Sequence, residues 1–154
     1  ADYRMEEGRH SGNGFRYAKT EKWLSYYGVW GLHENYNNQF ILDSFSQDAN
    51  LFYECFDNIL RQQLPSLDAF LSRFENKIGC EIDLDSIKNM PTSAISSVGF
   101  SEEEVLSFIY QISKNKEVLY YHFAEGLSTD NNTYIAGKFL SYAVSSIIKN
   151  DMSL

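Results

Sequence analysis

Apolar positions along this chain recur mainly at helical spacing. Leu51, Phe52, Cys55, Phe56, Ile59, Leu60 and Leu64 follow i, i+1, i+4, i+5, i+8, i+9, i+13, the stripe of a core-facing helix. Pro65 ends that stripe. Ser66 can cap a second helix, with Leu67, Phe70, Leu71, Phe74 and Ile78 inward and Gly79 closing it. The short link predicts an antiparallel helical hairpin. Upstream, Thr20 is a candidate N-cap for a helix carrying Trp23, Leu24, Tyr27 and Trp30, weakened by Gly28 and Gly31. His33 to Asn38 reads as a polar turn or a short helix. Downstream, Ser101-Glu102-Glu103-Glu104 is a capping box for a helix burying Val105, Leu106, Ile109 and Ile112. Glu117 to Leu127 reads as a further helix with Val118, Leu119, His122 and Phe123 inward, and a last helix runs from about Asn132 to Lys149.

Alternation breaks this picture only at Cys80 to Ile87, where Cys80, Ile82 and Leu84 intersperse with Glu81, Asp83 and Asp85. That segment allows a short edge strand, in a strand pair near residues 80–86. The expected fold is therefore all-α: a single-domain bundle of about five to seven helices over residues 19–154, preceded by a flexible basic arm at 1–18. Gly8, Gly12 and Gly14 give the arm a loop composition, and Arg4, Arg9, His10 and Arg16 its charge.

Charge sharpens the reading. The net charge is −8, and no Lys or Arg occurs from Trp23 to Leu60. Residues 81–104 carry one basic and six acidic groups. No basic stripe offers itself to phosphates, which argues against direct nucleic-acid binding. No apolar run is long enough to span a membrane, and a cytoplasmic location is expected. Two Cys are too few for a disulfide framework, although Cys55 and Cys80 could pair if the hairpin brought them together.

Catalytic motifs are absent from the sequence: no P-loop, dinucleotide loop, zinc-binding H-E-x-x-H or nucleophile elbow occurs. His122 and Glu125, three apart, could begin a metal site on a helix face, but no third ligand is evident. Glu54 with Asp57, or Asp83 with Asp85, could serve as acid–base pairs, yet both read as solvent-facing charge. Asp130-Asn131-Asn132 lacks the remainder of a calcium loop, and Asn131-Asn132-Thr133 is formally a glycosylation acceptor. No catalytic residue, metal or cofactor is expected.

Eleven Tyr, eleven Phe and two Trp exceed what one core face needs. Tyr26, Glu34, Tyr36, Asp43, Asp48, Tyr53, Glu54 and Asp57 combine carboxylates with aromatic rings around the stretch free of Lys and Arg, and form the expected partner-binding face. The leading expectation is a non-enzymatic inhibitor of a basic protein partner, of the immunity or antitoxin type that neutralises a nuclease-like toxin. One alternative is a DNA mimic or regulator of a DNA-binding protein. Trp30 to Phe40, W-G-L-H-E-N-Y-N-N-Q-F, is similar to an Asn-rich turn in an acidic bacterial family that includes a DNA mimic, without that family's paired glycines. Another alternative is a helical enzyme or ligand-binding bundle, for which Tyr121, His122 and Glu125 are the residues to test. A homodimer fits each reading.

Overall fold

A computed structural model describes residues 1–61, 66–127 and 133–152. The chain forms two compact units, Ala1–Leu64 and Pro65–Leu154.

The first unit is a βαβ arrangement. After α1 (Gly14–Thr20), β1 (Tyr27–Leu32) leads through α2 (Gln39–Gln47) to β2 (Leu51–Cys55), and α3 (Phe56–Leu60) follows. β1 and β2 pair in parallel, with Tyr27 opposite Leu51 and Leu32 opposite Cys55. A parallel pair needs a crossover, and α2 supplies it. Asn38 caps α2 by accepting the Ile41 amide at 3.0 Å. Gly31, at φ +86°, lies where the register slips between Trp30 and Leu32; a residue without a β-carbon takes that bulge freely. Tyr3, Ile41, Phe45 and Leu51 make the core, flanked by Phe15, Tyr27, Val29 and Tyr53. Tyr3 stacks on Tyr27 at 5.8 Å and meets Phe45 edge-on at 5.7 Å. Buried Asn13 ties the N-terminal segment together by donating to the Glu6 and Gly8 carbonyls.

The second unit repeats the logic. α4 (Leu67–Leu71) precedes β3 (Lys77–Asp83), and α5 (Glu102–Asn115) crosses over to β4 (Glu117–Ala124) before α6 (Thr133–Asp151). β3 and β4 are parallel, pairing Glu81 with His122, Ile82 with Phe123 and Asp83 with Ala124. Cys80 and Ile82 point to a core that includes Leu84, Ile87, Met90, Phe100, Val105, Ile109, Phe139 and Ala143. The opposite face of β3 carries Gly79, Glu81 and Asp83. A β-carbon on Gly79 would lie 2.3 Å from the Tyr120 ring, so the glycine makes room for that ring.

The all-α expectation is corrected: the fold is mixed α/β, with four strands in two parallel pairs. The helix read across Leu51 to Leu64 divides into β2 and α3, and the one read across Glu117 to Leu127 is mainly β4. The helix expected from Thr20 to Trp30 gives way to β1. The helical hairpin falls with them. A strand near Cys80 was foreseen, but its partner is the distant β4. β3 shows a two-residue period, with Glu81 and Asp83 exposed and Cys80 and Ile82 buried, but burial does not alternate strictly along β1, β2 or β4, so the period that would reveal those strands is missing. The calcium-loop and glycosylation readings at residues 130–133 lie outside the described side chains. No helix among the described residues is long and apolar enough to cross a membrane.

Candidate functional site

In sheets of parallel strands, ligands gather outside the carboxyl ends. At the carboxyl end of β3, Asp83 closes the strand and Asp85 sits half-buried in the following turn, Leu84–Ser86. The Ser86 hydroxyl donates to the Asp83 carbonyl at 2.6 Å and fixes that turn. On β4, Asp83 pairs with Ala124, and the next residue is Glu125.

Glu125 has φ +65°. A non-glycine residue in the left-handed region is uncommon and costs of order 1–3 kcal/mol, a price seen most at functional positions. Its neighbours hold it there. Gly126 pairs with Thr92 in a short antiparallel contact, and the Leu127 amide donates to the Pro91 carbonyl at 2.9 Å. Ser93 Oγ donates to Glu125 Oε2 at 3.0 Å. A β-carbon at Gly126 would come within 2.9 Å of Leu84 Cδ1, so the chain beside Glu125 packs closely on Leu84. Thr92 is buried, and its hydroxyl has no hydrogen-bond partner among the described residues. Asp83, Asp85 and Glu125 are thus brought to one end of one sheet, with a serine steering the third carboxylate.

His122 and Glu125 do not share a helix face, because His122 lies in strand β4 and Glu125 just beyond its end, in a left-handed turn. His122 Nδ1 instead bonds the cross-strand Glu81 carboxylate. That carboxylate also hydrogen-bonds Tyr120, whose pKa is pushed up to about 12 by burial first and by Glu81 second.

The eight expected partner-binding residues all fall in the first unit. Glu34, Tyr53, Glu54 and Asp57 surround the Cys55 thiol at the carboxyl end of β1 and β2, and burial, the Glu34 hydrogen bond and the neighbouring charges raise that thiol to about 11. Asp48 pairs with Lys19 at 3.3 Å, and Asp43 accepts from Gln39 at 2.9 Å. Tyr53 packs edge-on against Phe45, Tyr26 is half-buried and Tyr36 is 72% exposed. Cys55 and Cys80 are both free thiols.

Solved structures give this geometry its context. A manganese-bound variant of formiminoglutamase from Trypanosoma cruzi superposes with a TM-score of 0.83 at 17% identity, covering 97% of this chain and 52% of that one. An arginase superfamily protein from the same organism gives 0.81 at 18%, again 97% against 52%. Formimidoylglutamase of Bacillus subtilis gives 0.77 at 18%, covering 97% and 50%.

The fold is arginase-like. The chain spans about half the length of these structures. No protein-family model matches it, and no curated protein does.

The arginase-like fold overturns the immunity or antitoxin reading, which rested on charge layout, aromatic surplus and the absence of catalytic motifs, and with it the expectation of a non-enzyme. The helical bundle assumed in the enzyme alternative is likewise replaced by an α/β frame. The Trypanosoma cruzi formiminoglutamase structure holds manganese. Aspartate and glutamate oxygens are the donors that ion prefers. Yet among the described residues no three His, Cys, Asp or Glu side chains are grouped so as to hold a metal. The donor chemistry fits manganese; the number of donors does not.

Proposed function

We propose that this chain contributes carboxylates to the active site of a ureohydrolase-type enzyme, one that hydrolyses a carbon–nitrogen bond of an amidine or guanidine. The observation that carries this reading is Glu125, held in a strained backbone at the end of β4 beside Asp83 and Asp85 at the end of β3. The arginase-like fold supports it, since the relatives with this fold are named formiminoglutamase and agmatinase. Amidinium and guanidinium cations are planar, and a carboxylate meets them with two parallel charge-assisted hydrogen bonds. Glu125 offers such a carboxylate, and Ser93 fixes its orientation. Asp83 and Asp85 supply hard oxygen donors but do not by themselves complete a metal centre.

Paramagnetic broadening tests the reading even where affinity is low. Trace Mn2+ added to the isotope-labelled chain is expected to broaden the amide signals of Asp83, Asp85 and Glu125 before those of other carboxylates. Asp83→Asn with Asp85→Asn should abolish that pattern. Agmatine should shift the Glu125 signals in the parent chain and not in Glu125→Gln. Broadening centred on Glu102–Glu104, or unchanged in the double variant, would overturn the proposal.

A further inference from the structure

The groove between α5 and α6 in the second unit is separate from the carboxylates at the strand ends. Its cavity of about 340 Å³ is lined by Glu102, Glu103, Leu106, Lys138, Phe139 and Tyr142. That volume is at the small end of ordinary ligand pockets, which begin near about 300 Å³. The floor is apolar: Phe139 is 2% exposed and Leu106 is half-buried. Tyr142, 73% exposed, stands at the rim.

Charges of both signs meet over this floor. The capping box of α5 uses Ser101 and Glu104 and leaves the other two glutamates of the first turn unengaged. Glu102, Glu103 and Lys138 form no ion pair with any described residue. A purely cationic ligand would meet Lys138, and a purely anionic one the two glutamates. A ligand bearing one charge of each sign and an apolar body satisfies all of them. Its ammonium would lie between the carboxylates and beside the Tyr142 ring, where a cation gains from the ring face. Its carboxylate would pair with Lys138, and its apolar part would cover Leu106 and Phe139.

We propose that this groove binds a zwitterionic amino acid with an apolar side chain. The proposal does not rest on the hydrolase reading, and its outcome leaves that reading untouched.

Calorimetric titration of the full chain with L-phenylalanine tests it, against phenethylamine, which lacks the carboxylate, and 3-phenylpropionate, which lacks the ammonium. L-phenylalanine is expected to bind saturably with Kd on the order of 1 mM or tighter, and both analogues at least tenfold more weakly. Lys138→Met, and Glu102→Gln combined with Glu103→Gln, should each weaken L-phenylalanine about tenfold, with folding checked by circular dichroism. These exposed charges are not needed for the core, so the variants should fold. The proposal falls if L-phenylalanine shows no saturable binding, if phenethylamine binds as tightly, or if the variants bind like the parent.

Discussion

Glu125 sits at φ +65°, where a β-carbon crowds the backbone and an L-residue is penalised by roughly 1–2 kcal/mol. Glycine adopts that conformation without penalty. A residue kept there for its side chain should therefore trade stability for function. Glu125→Gly is expected to be more stable than Glu125→Ala by about 1 kcal/mol in urea denaturation, because only the glycine relieves the backbone. Both variants should lose the agmatine response, since both remove the carboxylate that Ser93 orients. Equal stability of the two would show that the backbone at this position is not under strain. The same residue marks how far the sequence reveals the site. Asp83, Asp85, His122 and Glu125 can each be singled out from residue type alone, but only the parallel pairing of β3 with β4 shows that three of them lie at the same end of one strand pair and that His122 turns instead to Glu81.

Elements with local signals were the legible ones. Ser101 caps α5 by accepting the Glu104 amide at 3.1 Å, and Glu104 accepts the Ser101 amide at 2.7 Å, as the Ser-Glu-Glu-Glu spelling implies. Ser101→Ala should cost about 1 kcal/mol, and Glu104→Ala a part of that, measured by chemical denaturation. A cost near zero for Ser101→Ala would mean that α5 is held by packing alone. Ser66 likewise caps α4 through the Ala69 amide at 3.3 Å. Elements fixed by distant pairing were not legible. β2 reads L-F-Y-E-C and runs directly into α3, so strand and helix together imitate one long helical stripe. β4 reads E-V-L-Y-Y-H-F-A, aromatic and β-branched residues that suit a strand as well as a buried helix face. Only the register with β3, from Lys77 opposite Glu117 to Asp83 opposite Ala124, selects the strand. The acid-and-aromatic composition that suggested an inhibitor belongs in part to these elements: Tyr53 and Glu54 lie in β2 and surround Cys55.

Across the whole molecule, burial holds several weak acids in their neutral form. Cys80 is raised from 9.0 to about 12, by burial first and Glu81 second. Tyr121 is raised from 10.0 to about 12 by burial, with Cys80 and Asp151 adding to it. Tyr120 also reaches about 12, and Cys55 about 11. These groups occur in both units, so both share the consequence. Above pH about 9 the unfolded chain begins to release these protons while the folded chain keeps them, and ionisation of the unfolded form draws the equilibrium toward it. Their contribution is thus fully present below pH 9 and is lost as pH rises toward 11 and 12. The urea midpoint is expected to be level between pH 7 and 8.5 and to fall steadily from pH 9 to 11. Tyr121→Phe and Cys80→Ser each remove one of the ionising groups and should flatten the fall. The two raised thiols, Cys55 and Cys80, also predict slow alkylation at pH 8 in the folded chain, since the thiolate is the reactive form. A urea midpoint that stays constant to pH 11, or rapid alkylation at pH 8, would show that these side chains are open to water and that the packing around β2, β3 and β4 is looser than described.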